Sequence, residues 1–147
     1  KSATYPVGAL PQDVRLADFN GDGFLDAAVA NTMDRTIGIL LGRGDGAFLP
    51  QGAVGVNLQP GVLAVADFDG DSSVDIVFLG ASVGDLRGLA GKGDGTFAPE
   101  QTFAACGAAS ANSIGVADFD HNGKKDVTFG YRVANQGKVC VLFNQSP

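Results

Sequence analysis

Asp18-Phe19-Asn20-Gly21-Asp22-Gly23-Phe24-Leu25-Asp26 is the stretch that decides how this chain is read, because it recurs twice. The copies run from Asp67 to Asp75 and from Asp118 to Asp126, and the first aspartates lie 49 and then 51 residues apart. Each copy carries an acidic or amide side chain at positions 1, 3, 5 and 9. That alternation lets one tight loop turn several oxygens toward a common point, which is what a hard cation such as calcium requires. A period near 50 marks a repeat architecture.

Outward from each loop the units remain superimposable. A short apolar strand leads in, expected at Val14 to Ala17, Leu63 to Ala66 and Ile114 to Ala117, each running into Ala-Asp-Phe with Phe19, Phe68 and Phe119 equivalent. A second strand is expected to start on the last aspartate, at Asp26 to Ala30, Asp75 to Leu79 and Asp126 to Phe129. After a polar turn a third follows, at Thr36 to Leu41, Asp85 to Ala90 and Lys138 to Phe143. Gly42-Arg43-Gly44-Asp45-Gly46 and Gly91-Lys92-Gly93-Asp94-Gly95 then introduce fourth strands from Phe48 and Phe97. Apolar runs bounded by glycine, with no 3.6-residue periodicity, predict an all-β fold. Four antiparallel strands in about 50 residues is the size of one β-propeller blade.

The expected units are therefore a blade over about 12–58, a second over about 61–108 and a third over about 112–147. Ala3 to Leu10 reads as a further outer strand, so residues 1–11 are a candidate closing strand. Closed propellers usually carry four to eight blades, and three are too few. Either the chain is a piece of a longer propeller, or copies associate and two of them complete a six-bladed ring. Both routes protect sheet edges that three blades alone expose.

Composition agrees and removes some functions. Of 147 residues 45% are hydrophobic, enough for a core, and 22 glycines supply many tight turns. The net charge is −6, but ten of the sixteen acids lie in the three loops, so acidity is local and not a general solvating surface. No basic stripe exists to make nucleic acid an expected partner. No signal peptide or membrane span is visible, and the chain reads as a mature form or an expressed piece. Cys106 and Cys140 allow one bridge, suited to an extracellular setting, or two buried thiols.

The Asp-x-[Asp/Asn]-x-Asp-Gly-x-x-Asp pattern, entered from a strand ending Ala-Asp-Phe, resembles the FG-GAP/VCBS repeats. That family includes integrin-α propeller blades, a fungal integrin-like lectin and secreted bacterial proteins. The resemblance covers nearly the whole chain and implies calcium loops between the first two strands of each blade, with up to three Ca²⁺. It implies ligands from the side chains of positions 1, 3, 5 and 9 and the carbonyl of position 7. In the first loop these are Asp18, Asn20, Asp22, Phe24 and Asp26; in the second, Asp67, Asp69, Asp71, Ser73 and Asp75; in the third, Asp118, Asp120, Asn122, Lys124 and Asp126. An EF-hand would need a glutamate at position 12, where Val29, Phe78 and Phe129 stand. Ser72 replaces the position-6 glycine of the second loop, and Lys124 and Lys125 place positive charge beside the third. The first loop is thus expected to be the most regular site and the third the weakest.

Other motifs read as structure. Arg43-Gly44-Asp45 matches an integrin-recognition tripeptide, but Lys92-Gly93-Asp94 holds the equivalent place, so both are read as hairpin turns. Gly80-Ala81-Ser82-Val83-Gly84 has the spacing of a nucleophile elbow, but the only histidine, His121, sits in an acidic loop. One histidine and two separated cysteines make no zinc site. The expected function is a non-enzymatic, calcium-stabilised, extracellular scaffold for binding or adhesion to a protein or glycan. Candidate contacts are the turns Asn31 to Arg35, Ala81 to Asp85 and Arg132 to Gly137. The alternative is a carbohydrate-binding lectin or the accessory module of a secreted polysaccharide-active enzyme, although the chain lacks Trp and has two Tyr.

Overall fold

A computed structural model describes residues 2–81, 84–108, 111, 113–133 and 136–145. Eleven strands and, among the described residues, no helix make up its regular structure. β1 (Pro11–Ala17), β2 (Asp26–Asn31), β3 (Thr36–Gly42) and β4 (Phe48–Gly55) form one antiparallel sheet in that order. β5 (Pro60–Ala66), β6 (Asp75–Gly80), β7 (Gly84–Leu89) and β8 (Gln101–Ala108) form the second. β9 (Ile114–Ala117), β10 (Asp126–Val133) and β11 (Gln136–Leu142) form a three-stranded third. The first strand of each sheet contacts the next, β1 against β5 and β5 against β9, so the sheets stack like successive blades without closing into a ring.

Period-two alternation builds the core, because successive side chains of a strand leave on opposite faces. In β6, Ile76 and Phe78 pack with Ala28, Ala30, Ile37 and Ile39 of the first sheet. Val77 and Leu79 of the same strand pack with Val127 and Phe129 of the third. The middle sheet is therefore buried on both sides, which is why β6 is an unbroken apolar run. Polar ties reinforce the stack: Arg15 Nε donates to the Leu63 carbonyl at 2.8 Å, and the Leu63 N–H donates to Asp13 at 2.8 Å. A disulfide joins Cys106 of β8 to Cys140 of β11, across the second and third sheets.

The two Gly-Asp-Gly turns are the same device. Arg43 and Lys92 donate their N–H to the carbonyls of Ala47 and Thr96, and Asp45 and Asp94 accept the N–H of those same residues. The integrin-like tripeptide is thus the exposed tip of a repeated hairpin. The elbow-like motif leads into strand β7 and not a helix, and its Ser82 lies outside the described residues.

Several expectations need correction. Ala3 to Leu10 is in no strand: Leu10 takes a left-handed φ of 55°, and the carbonyls of Ala9 and Leu10 cap the β2–β3 turn through the N–H groups of Met33 and Thr32. Regular structure begins at Pro11, earlier than the expected Val14, and β10 runs on to Val133. β8 starts only at Gln101, with Phe97 making an isolated bridge to Gly91. Among the described residues the third sheet has three strands, and a cavity of about 510 Å³ between it and the second sheet is bordered by Phe68, Leu86, Phe103, Val127, Leu142 and Phe143. At the preceding junction, Phe97 fills the corresponding space by packing on Phe19.

Candidate metal centre

Each acidic loop leaves its entering strand at position 1 and winds through side chains that hold the backbone. Asp18 accepts the N–H of Gly21 at 2.7 Å and of Gly23 at 2.8 Å; Asp67 accepts those of Gly70 at 2.7 Å and Ser72 at 3.0 Å. Asp118 accepts those of Asn122 at 3.1 Å and Gly123 at 2.9 Å. Position 3 accepts the N–H of position 5 in every loop, from Asn20, Asp69 and Asp120. Position 5 accepts the N–H of position 7, so Asp22, Asp71 and Asn122 hold Phe24, Ser73 and Lys124. These local turns, typical of Asx side chains, make the loop a small spiral with its oxygens inside.

Two positions need a left-handed backbone. At position 6 these are Gly23, Ser72 and Gly123, with Ser72 at φ 73° where glycine costs least. At position 4 they are Gly21, Gly70 and His121, the last exposed at φ 60°.

Position 9 behaves differently from the rest. Asp26, Asp75 and Asp126 are buried. Each carboxylate accepts the N–H of the position-2 phenylalanine: Phe19 at 2.9 Å, Phe68 at 2.8 Å and Phe119 at 2.7 Å. Its other oxygen accepts an N–H from the end of the third strand: Gly42 at 2.8 Å, Gly91 at 2.8 Å and Asn144 at 2.7 Å. The residue is a staple between loop and hairpin, and each oxygen keeps a lone pair for a cation. Gly42 and Gly91 fit because a Cβ there would collide with the carbonyls of Leu25 and Val74.

Asn144 takes that place in the third sheet and adds a bridge, its Nδ2 donating to the Phe68 carbonyl of the second loop at 2.6 Å. The corresponding carbonyl of the first loop, on Phe19, accepts the N–H of Gly95 at 2.9 Å. Each of these two loops is thus tied to the sheet that follows it. Gly42 and Gly91 are legible in the sequence only as the start of the Gly-Asp-Gly turns. The one signal of their bond to the ninth position is the recurrence of glycine sixteen residues beyond Asp26 and Asp75, and Asn144 carries no such signal.

Carboxylates converge in two loops. Asp67, Asp69 and Asp71 bring one oxygen each within 4.8 Å of one another, as do Asp118, Asp120 and Asp126. In the second loop Asp75 stands behind that group as the staple; in the third, Asn122 adds an amide oxygen turned to Lys124. In the first loop the position-3 side chain is an amide, and Asn20 Nδ2 donates to Asp22 at 2.9 Å. The charges feel these surroundings. Backbone N–H bonds, led by Gly23, hold the Asp18 carboxyl below its usual range, and the Asn144 N–H does most to lower Asp126. Burial pushes Asp75 up, opposed by the Gly91 and Phe68 bonds and assisted by the charges of Asp69 and Asp71. Clustered carboxylates with free lone pairs fit a hard oxygen-seeking cation, and no described cysteine or histidine joins them to favour a softer metal.

The model of the FG-GAP-like repeat matches residues 18–78 and again residues 67–129, so the two matches run through all three loops. No curated protein matches the chain.

Proposed function

We propose, on the premise that this chain belongs to the FG-GAP-like repeat family, that it is a calcium-stabilised, non-enzymatic extracellular scaffold whose propeller-type blades present binding surfaces. The observation that carries this reading is the gathering of Asp67, Asp69 and Asp71 oxygens within 4.8 Å in a loop wound by its own side-chain-to-backbone hydrogen bonds. Calcium in that loop would take oxygens from Asp67, Asp69, Asp71, Asp75 and the Ser73 carbonyl. The first loop offers Asp18, Asn20, Asp22, Asp26 and the Phe24 carbonyl, and the third Asp118, Asp120, Asn122, Asp126 and the Lys124 carbonyl. The ion would relieve repulsion among clustered charges and fix the connection between two strands.

Triplication supports a structural and non-catalytic role, since a reaction needs its carboxylate pair once. The Cys106–Cys140 disulfide supports an oxidising, extracellular setting. Among the described residues no helix is long and apolar enough to cross a membrane. The turns between second and third strands are the proposed ligand contacts. The first, Asn31 to Arg35, is described throughout and carries the exposed apolar Met33, whereas residues 82–83 and 134–135 of the other two lie outside the described residues.

Thermal unfolding in calcium and in EDTA tests the metal. One site held at free calcium 100 times its dissociation constant stabilises by about 2.7 kcal/mol, enough to raise Tm by several degrees. Equal melting temperatures in the two buffers would remove calcium from the reading. A glycan array tests the binding class: saturable, specific sugar binding would replace the general scaffold with the lectin alternative.

A further inference from the structure

The two outer faces of the stack carry the side chains that, one repeat away, pack sheet on sheet. On the first sheet, Val14 and Leu16 pair across from Val29 and Ala27, and each is 53% exposed. Their repeat equivalents in β5 are Leu63 and Val65, both packed in the core between the first and second sheets. On the third sheet, Val139 and Val141 pair across from Gly130 and Thr128 and are 73% and 38% exposed. Their equivalents in β3 are Ile37 and Ile39, both buried in that same core. Phe119 is 45% exposed where Phe19 is 1% exposed under Phe97. Phe48, the equivalent of Phe97, meets only Tyr5 among the aromatic ring contacts of the described residues.

We propose that a second copy of this chain covers these faces head to tail, with the first sheet of one copy packed on the third sheet of the other. Val14, Leu16 and Phe48 of one copy then stand to Val139, Val141 and Phe119 of the other as Leu63, Val65 and Phe97 stand to Ile37, Ile39 and Phe19 within the chain. A two-fold axis makes both contacts identical and closes six sheets into one ring, inside the range that closed propellers occupy. Tyr5 leaves Phe48 in the process. The two faces are the repeat equivalents of the two sides of one internal junction, so they are complementary to each other and a second copy meets both at once. This inference goes beyond the scaffold reading and does not depend on calcium.

Sedimentation of the 147-residue chain over the micromolar range tests it, with far-UV circular dichroism to confirm folding. The wild type is expected at twice 14.9 kDa. Leu16→Asp and Val139→Asp alter exposed side chains, so each should fold, and each should weaken the dimer roughly tenfold or more by burying a charge in an apolar contact. Mixing the two variants should restore a dimer, because in the mixed pair one of the two contacts joins unaltered faces. A monomeric wild type, a dimer indifferent to both substitutions, or a mixture that stays monomeric would each overturn the proposal.

Discussion

Replacing Asp26 by alanine tests whether the ninth loop position acts as a hydrogen-bond staple independently of metal. Asp26 is fully buried, and its two oxygens accept the N–H of Phe19 at 2.9 Å and of Gly42 at 2.8 Å. Truncation leaves both donors without their acceptor, and an unsatisfied buried polar group costs about 1–3 kcal/mol. Water can reach the part-buried Gly42 N–H, so we expect a net loss of roughly 2–4 kcal/mol. That is a large share of the ~5–15 kcal/mol that stabilises an ordinary domain. Asp26→Asn keeps one acceptor but turns an NH₂ toward the other donor, and should fall between alanine and wild type. Urea unfolding in EDTA is the assay, because without metal only the staple is read. If Asp26→Ala lay within about 0.5 kcal/mol of wild type in EDTA, or lost stability only with calcium present, the staple reasoning would be wrong.

Three further outcomes are expected. Ser72→Gly relieves a left-handed φ of 73° and should stabilise the apo protein by about 0.5–1 kcal/mol in urea titrations; a loss would contradict the strain at position 6. Asp75 has a carboxyl raised above its usual 3.8, chiefly by burial, so its contribution is fully present below that value and is lost as pH rises through its folded pKa. In EDTA, wild type should therefore lose stability relative to Asp75→Asn as pH rises above about 4, and a difference that is flat or grows with pH would refute the assignment. Reducing the Cys106–Cys140 bridge, which spans a separation of 34, should cost roughly 3–4 kcal/mol, read as a shift of the urea midpoint between oxidised and dithiothreitol-treated protein.

The strands were legible because their signals are short-range. Asp75 to Leu79 reads as a strand from its apolar run alone, and the repeat placed β2, β6 and β10 on the last aspartate of each loop. The Gly-Asp-Gly turns were legible for the same reason, since their hydrogen bonds close within four residues. Residues 3–10 misled because a segment's likeness to an outer strand does not reveal whether a partner edge is in reach. In the chain, the carbonyls of Ala9 and Leu10 are taken by the β2–β3 turn. Left-handed backbone at position 4 was hidden by His121, a residue that does not advertise it as glycine does.

Within the candidate site the division follows distance along the chain. Positions 1, 3 and 5 hold N–H groups two to five residues away, so their spacing alone specifies the spiral. The ninth position holds donors seven residues back and sixteen or eighteen residues ahead, and only the packed hairpin brings those within reach. The same holds for the Asn144 bridge to the Phe68 carbonyl, 76 residues away, and for the convergence of Asp126 with Asp118 and Asp120. The sequence by itself determined how many loops there are, their phase against the strands and which side chains alternate, because covalent spacing sets local geometry. Only the tertiary structure decided which carboxylates meet, which one is buried as a staple and which faces stay open, because those depend on contacts between segments that the chain brings together only when the sheets stack.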